Sequence, residues 1–473
     1  MFLTKEQLAE LDISSGPNFN LKASGIQISS SAIRSGDIFI AARGAKGHGI
    51  EFLEDAIAKG AIAVLTDQEV QFESSIPILR HVDPRSVAGE LAAIIYGTNN
   101  SPMLLFGVTG TNGKTSTVTY LQQLLNGLGV SAGLSASTKR VIGDQAIESD
   151  LTSPEAPKLH ELLSQMRDAG QSVAAIEVSA HAVQHGRIGG IHFECVGFTN
   201  LSRDHLDDFG DMENYLATKA ALFTPHFAKR AVLMVDDEYG QKLSTDAPLS
   251  LVTLGESSGD YRYGYESGVL RVSFPGGKQL SVEFGAGALM AKNFALAIVM
   301  LTESGFDFDA LMMAAPKAQQ QVPGRLEKVS KRLPAVFVDY AHTPDGVGSA
   351  VKELSQRFPW LSVVLGASGN RDVGKRGPMA KAAKGADLLV ITDQHPRDED
   401  PALIRKALMD AAENKNLIEI SDPEEAIRHA IANTPEGGAV LWCGPGNLKY
   451  REIKGQKVPF DARDVARRIL EDK

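Results

Sequence analysis

Hydrophobic and polar positions alternate along this chain in three successive styles. Between about residues 20 and 85, short apolar runs at Gly36 to Ala42 and Ala61 to Thr66 flank a helical period from Phe52 to Lys59, which predicts a small α/β unit. From about 88 the segments lengthen: helix 87–96, strand 103–108, helix 114–128, helix 157–169, strand 173–177 and strand 194–198. Apolar strands separated by helices predict a parallel sheet covered on both faces, whose ligands gather at the carboxyl ends of its strands. At 260–285 the period falls to two around Gly276-Gly277, predicting an antiparallel hairpin that breaks the series. After Pro323-Gly324-Arg325 a second α/β series follows, with strands at 335–339, 361–365, 386–391 and 439–443 and helices at 344–357, 377–384, 401–412 and 423–432. The expected fold class is therefore α/β in three domains, 1–86, 87–328 and 329–473, the central one a doubly wound parallel sheet.

Composition narrows the class of function. The 473 residues carry a formal net charge of −10, which argues against a nucleic-acid-binding surface built on clustered Lys and Arg. Cys195 and Cys443 stand far apart and fit neither metal nor redox spacing, so both read as small core residues in a reducing compartment. No apolar run approaches the about 18 residues of a membrane span, and the first residues lack a signal-peptide pattern, so a cytoplasmic protein is expected.

The densest chemistry lies at 107–120, where the strand 103–108 feeds a glycine-rich turn ending in Gly113-Lys114-Thr115. Glycines at a strand-to-helix turn let backbone N–H groups approach phosphate oxygens, Lys114 adds a point charge, and the Thr115 hydroxyl can ligate Mg²⁺. The general phosphate loop wants a glycine where this chain has Val108, and Gly107 and Gly110 stand instead. Glu177, at the carboxyl end of an apolar strand, could reach a metal beside the phosphates, with a satisfied polar strand end as the alternative. His205, in Phe198-Thr-Asn-Leu-Ser-Arg-Asp-His-Leu-Asp207, is either a metal ligand or a surface histidine. Lys219, in a segment with helical spacing, reads alone as a solvated helix lysine.

These stretches together resemble the Mur ligases, ATP-dependent enzymes that add amino acids to the peptide of the bacterial cell-wall precursor. The resemblance rests on Gly107 to Thr115, Glu177-Val-Ser179, Phe198 to Asp207, Lys219, Asn293, Val322-Pro-Gly-Arg-Leu-Glu327 and Val338-Asp-Tyr-Ala-His-Thr-Pro-Asp345. Leu151-Thr-Ser-Pro154, Arg187, Gly369-Asn-Arg-Asp372, Gly374-Lys-Arg376 and His395-Pro-Arg-Asp-Glu-Asp-Pro401 are similar to the MurE branch, which extends UDP-N-acetylmuramoyl-L-alanyl-D-glutamate. The resemblance implies an N-terminal UDP-substrate domain, a central ATP domain and a Rossmann-like C-terminal domain for nucleotide and incoming amino acid. ATP and Mg²⁺ are the implied cofactors, and the UDP-muramoyl dipeptide and a free amino acid, meso-diaminopimelate first, the implied partners of a monomer.

By the same resemblance, Gly110, Thr111, Asn112, Gly113, Lys114, Thr115 and Ser116 would hold the ATP phosphates, with Asn293 at the adenine and Arg325 and Asp339 reaching from the third domain. Thr115, Glu177, His205 and a carbamylated Lys219 would complete the metal sites, so Lys114, Lys219, His205 and Glu177 are the expected catalytic set. Ser30, Thr152, Ser153, Ser179, Arg187, Arg371, His395 and Arg397 would contact substrate. The sequence departs from the family's pattern at Ser29-Ser30-Ser31 for Asp-Ser-Arg, His185 for glutamine and Asp208-Phe209 for Tyr-His. It departs again at Gln394-His395 before Pro396-Arg397, and at Gly444-Pro-Gly-Asn-Leu448 for Gly-Lys-Gly-His-Glu. Leu448 thus stands where an acid would grip the far ammonium of diaminopimelate, and burying that ammonium without a partner is costly. A ligase of the same fold for another amino acid or acceptor, and a nucleotide-dependent regulatory binding protein, are the competing readings.

Overall fold

In this computed structural model, residues 2–16, 21–44, 47–68, 74–149 and 151–471 are described. The N-terminal unit is a four-stranded parallel sheet in the order Gly25–Gln27, Asp37–Ala41, Ala63–Thr66, Ile78–Arg80. Its outer strands are three residues each, too short to register as periodic runs. Helix Leu53–Ala58 covers one face over Ile33, Phe39 and Val64. Helix Ala88–Tyr96 covers the other, burying Leu91, Ala92 and Ile95 with Leu8, Ile26 and Ile38. This helix, expected at the start of the central unit, shares the N-terminal core instead, and we place the first boundary after it.

The central sheet has eleven strands. Seven run parallel, in the order Ala132–Ser135, Val173–Glu177, Leu104–Thr109, Cys195–Phe198, Ala231–Met234, Leu251–Gly255, Tyr261–Glu266. Antiparallel strands close each side. Lys139–Ile142 and Gln145–Glu148 extend one edge, and Val269–Ser273 and Gln279–Glu283 the other. The alternating stretch at 260–285 therefore does not break the sheet but prolongs it as a three-stranded meander.

Helices Lys114–Gly127 and Ala288–Glu303 pack on one face of this sheet, where Val118, Leu121, Leu125, Phe294, Ile298 and Leu301 are fully buried. Helix Ala288–Glu303 is apolar around almost its whole circumference, so it carries no polar stripe by which sequence periodicity marks a helix. Helices Ala156–Asp168 and Met212–Ala220 contribute to the core on the opposite side, with Leu159, Leu163, Tyr215 and Leu216.

The C-terminal unit is a six-stranded sheet ordered Glu327–Lys328, Ala335–Asp339, Ala439–Cys443, Leu361–Leu365, Leu388–Ile391, Leu417–Glu419. All its pairs are parallel except the first, and because Glu327–Lys328 belongs to this sheet we place the second boundary, expected after 328, before Gly324. Helices from Pro344–Arg357 to Pro401–Ala411 line one face and Pro423–Ala432 with Ala462–Glu471 the other. Strand order decides where chemistry can occur. Leu104–Thr109 lies between Val173–Glu177 and Cys195–Phe198, so the three loops that carry the phosphate turn, Glu177 and His205 leave adjacent carboxyl ends.

Candidate active site

Gly110 and Gly113 shape the phosphate turn through positive φ, 143° and 87°. A side chain at either would also meet its packing: a Cβ at Gly110 would overlap the Thr199 hydroxyl, and one at Gly113 the Asn293 carboxamide. Turn and neighbouring loop are laced together. Asn112 N–H donates to Asn200 Oδ1 at 3.0 Å, Asn200 Nδ2 and the Thr199 hydroxyl donate back to the Asn112 carbonyl at 3.0 and 2.6 Å, and Thr111 N–H donates to the Asn200 carbonyl at 2.9 Å. Phe198-Thr199-Asn200 therefore buttresses the phosphate turn.

Lys114 and Lys219 converge on the turn from opposite sides. Lys114 Nζ donates to the Gly110 and Thr111 carbonyls at 3.0 and 2.9 Å, and Lys219 Nζ donates to the same Gly110 carbonyl at 2.9 Å. Lys219 is 1% exposed and lies over the Tyr215 ring, 4.6 Å from its centroid. Burial pushes its ammonium well below the ordinary lysine range, and the Lys114 charge pushes in the same direction. Lys114 is shifted down as well, again by burial first.

Thr115 Oγ1 donates to Glu177 Oε2 at 3.0 Å, and the Ser137 N–H reaches the same oxygen at 2.8 Å. Arg325, from beyond the central domain, donates Nη2 to the Thr115 hydroxyl at 3.2 Å and Nη1 to the Gly324 carbonyl at 3.1 Å and Asn447 Oδ1 at 3.3 Å. Its guanidinium stacks on Tyr340, 4.5 Å from the ring centroid. Asp339 is shifted upward by burial, while its two oxygens accept the backbone N–H groups of Leu326 and Ala341 at 2.5 and 2.7 Å. It shapes the turn that carries Arg325. Asn293 is 5% exposed, donates to the Leu289 carbonyl at 2.9 Å, and leaves Oδ1 without a hydrogen-bond partner beside Gly113. A buried acceptor of that kind fits a site that still awaits a donor, such as a nucleotide amine.

His205 occupies a left-handed backbone conformation, φ 55°, which costs a non-glycine residue about 1–3 kcal/mol unless its surroundings hold it. Its Nε2 lies 3.3 Å from Asp204 Oδ2 and its Nδ1 3.9 Å from Asp208 Oδ2. Burial pushes the imidazole down to about 4, so it is neutral near pH 7. Asp204 itself is 4% exposed; burial pushes its carboxyl up, but His342, His205 and Lys375 outweigh that and hold it well below the carboxylate range.

Residues 111–116, Glu177, Asp204, His205, Lys219, Asn293, Arg325 and Asp339 line one cavity of about 700 Å³ between the central and C-terminal domains. Thr152, Ser153, Ser179 and Arg187 line it on the central side, Arg371 and Arg397 on the other. Ser153 Oγ donates to the Glu177 carbonyl at 2.9 Å, Thr152 Oγ1 accepts from Ser137 at 3.0 Å, and Arg187 pairs with Glu155 at 3.0 Å. Ser116 lines it too, and is held against Met290. Three expected residues fall outside its lining: Gly110, whose carbonyl accepts both lysine amines, and two more. Ser30 begins a short 3₁₀ turn in the N-terminal unit, and His395 is packed beneath the surface, its Nδ1 accepting the Glu452 N–H at 3.0 Å. Burial lowers the His395 imidazole to about 4. It braces the loop that presents Arg397, which pairs with Glu452 at 3.2 Å.

The structure adds residues given no role from sequence. Lys375, 7% exposed, meets Asp204 at 3.1 Å, Asp345 accepts from Asn112 Nδ2 at 2.9 Å, and His342 faces Asp204 at 3.6 Å, all across the domain boundary. Each lies in a stretch that carried the family resemblance, but partners more than a hundred positions apart leave no local pattern.

Residues 22–98, 108–301 and 324–446 match, in turn, the family models described as "Mur ligase family, catalytic domain", "Mur ligase middle domain" and "Mur ligase, glutamate ligase domain". A Leifsonia xyli subsp. xyli protein named UDP-N-acetylmuramyl-tripeptide synthetase is 44% identical, over 96% of this chain and 92% of its own. A Streptomyces coelicolor protein named UDP-N-acetylmuramoyl-L-alanyl-D-glutamate--2,6-diaminopimelate ligase is 37% identical, over 96% of this chain and 94% of its own. A solved structure of a ligase with that same name superposes with a TM-score of 0.66 at 28% identity, covering 95% of each chain. The three matches in order along one chain, with relatives alike over nearly their whole length, show that this protein belongs to the Mur ligase family.

Proposed function

We propose that the protein is an ATP-dependent amide-bond-forming ligase of the MurE type, joining an amino acid to the D-glutamyl carboxylate of UDP-N-acetylmuramoyl-L-alanyl-D-glutamate in peptidoglycan precursor synthesis. The observation that carries this reading is one cavity holding the phosphate turn, the Thr115–Glu177 pair, buried Lys219, and arginines on both walls. A phosphate binder alone has no use for Arg187, Arg371 and Arg397 facing the same space, whereas a ligase must hold two substrates that bear carboxylates. The names of the Leifsonia and Streptomyces relatives support the acceptor, and the second supports diaminopimelate as the amine.

The turn's N–H groups and Lys114 hold the triphosphate, while Arg325 closes on it from the third domain. Thr115, Glu177, His205 and Lys219, the last once carbamylated, would hold Mg²⁺. The chemistry that Mg²⁺ would supply there is neutralisation of the charge that gathers when a carboxylate attacks the γ-phosphate. Formation of the lysine carbamate needs an uncharged amine, and burial, with the Lys114 charge beside it, shifts Lys219 toward that form. The substrate carboxylate takes up the phosphoryl group as an acyl phosphate, and the incoming amine then displaces phosphate through a tetrahedral intermediate. Arg371 and Arg397 orient the amino acid. Soluble cytoplasmic action fits the substrates, and among the described residues no helix is long and apolar enough to cross a membrane.

The test incubates purified protein with ATP, Mg²⁺, the UDP-muramoyl dipeptide and a panel of amino acids, and weighs the products. One tripeptide product is expected, with diaminopimelate as the leading amine. Product with another amine only would redirect the specificity; no product with any amine would overturn the reading.

A further inference from the structure

Helix Ala288–Glu303 begins without a capping side chain of its own. Its N-cap is Gly287, held at φ 97°, whereas the helices that follow Asp237, Asp307 and Thr343 are each capped by that residue's side chain. The first N–H groups of a helix have no partner within it, and a buried one left unpaired is costly. Glu353 fills that place from the other domain. Standing on helix Pro344–Arg357, it is 7% exposed and accepts the Ala288 N–H on both carboxylate oxygens, at 3.2 and 3.1 Å. A carboxylate here also meets the positive pole of the helix, and Arg357, 3.4 Å away, offsets its burial. A Cβ at Gly287 would overlap Glu353 Oε1, so the absent side chain is what lets the two domains dock at this point.

The cap holds the first turn of this helix, and that turn orients Asn293. Asn293 Nδ2 donates at 2.9 Å to the carbonyl of Leu289, the residue after Ala288. With its nitrogen so engaged, the carboxamide turns Oδ1 toward Gly113 at the cavity wall, where that oxygen has no hydrogen-bond partner. We infer that Glu353 is a positioning residue for the base of the nucleotide: by capping Ala288 across the domain boundary it keeps Asn293 presenting an acceptor, and so favours a purine that carries an amine over one that carries a carbonyl. Without the cap the first turn frays, Leu289 no longer fixes the carboxamide, and Nδ2 faces the cavity as readily as Oδ1. Base discrimination is therefore complete only when the domains close. The inference rests on the ATP reading of the cavity, but it is read from binding, without turnover.

The full chain with Mg²⁺ and no acceptor is titrated by calorimetry with ATP and with inosine triphosphate, which bears a carbonyl in place of the adenine amine. The unsubstituted protein should bind ATP about tenfold more tightly, the worth of one well-made hydrogen bond. Glu353→Ala should shrink that ratio below about threefold, chiefly by weakening ATP, since losing a cap is worth about that much. Glu353→Asp keeps the charge but falls short of Ala288, and should lose the ratio too. Glu353→Gln, which keeps an oxygen for the Ala288 N–H, should restore most of it and separates lost capping from lost folding. A merely structural role would weaken both nucleotides alike. A ratio that survives in both Glu353→Ala and Glu353→Asp, or two nucleotides weakened by the same factor, overturns the inference and leaves the ATP reading standing. Failure of the unsubstituted protein to bind ATP overturns both.

Discussion

Lys219 is 1% exposed, and its amine donates to the Gly110 carbonyl. Nothing in Tyr-Leu-Ala-Thr-Lys-Ala-Ala announces that burial; the segment reads locally as a surface helix, and only the fold turns this face inward. Lys219→Ala is expected to lower kcat by about 10²–10³, the usual loss for one preorganised charge-stabilising group, while ATP binding persists. Activity in CO₂-depleted buffer should fall and recover with bicarbonate in the unsubstituted protein only. Rates that ignore both treatments would remove the carbamate from the mechanism. Arg325 makes a different case, because its planar fork spans Thr115, Asn447 and the Tyr340 ring at once. Arg325→Lys keeps the charge but cannot reproduce the fork and stack, so KM for ATP should rise about tenfold, the equivalent of about 1.4 kcal/mol. A KM unchanged in steady-state kinetics would place Arg325 outside the nucleotide site.

Helix Ala156–Asp168 joins the N-terminal and central units through Arg167, which donates to the Tyr96 carbonyl, Glu161, which pairs with Arg34, and one buried histidine. His160 Nδ1 meets the Thr98 hydroxyl at 2.6 Å and its Nε2 the Gly189 carbonyl at 2.9 Å. Burial lowers its imidazole from 6.5 to about 4. Below pH 6.5 the unfolded chain takes up a proton that the folded chain refuses until about pH 4. Stability is therefore present above pH 6.5 and is lost as pH falls toward 4, by up to about 1.4 kcal/mol per pH unit for this group. His160→Gln should flatten the pH dependence of the urea midpoint in that window, whatever it does to stability at pH 7. An unaltered slope would assign the effect to other groups, among them His395, which burial also lowers to about 4. At this scale the sequence was readable where elements alternate cleanly. Strands Val173–Glu177 and Ala335–Asp339 and helix Pro344–Arg357 fall where the pattern predicts them. It was silent where signals vanish: in strands of three residues and in helix Ala288–Glu303 with no polar face.

At the scale of the whole molecule, the site exists only while the central and C-terminal domains meet. Arg325 to Thr115, Asp345 to Asn112 and Lys375 to Asp204 cross that boundary, and motif order alone showed only that both domains were needed. The Lys375–Asp204 pair is the most consequential of these, since both partners are more than 90% buried in the closed arrangement. Removing one partner of a buried pair leaves the other charge uncompensated, a penalty of about 3–5 kcal/mol if the environment cannot relax. Here it can relax, because parting the domains returns Asp204 to water. Lys375→Ala should therefore leave the melting temperature of the central domain largely intact and shift the population toward an open form. Small-angle scattering should show a larger radius of gyration than the unsubstituted protein, and nucleotide with acceptor should restore the compact profile at a raised KM for ATP. A radius and KM both equal to those of the unsubstituted protein would show that the pair does not hold the domains closed. A melting temperature that collapses instead would mean that Asp204 cannot reach water, and that the two domains unfold together rather than part.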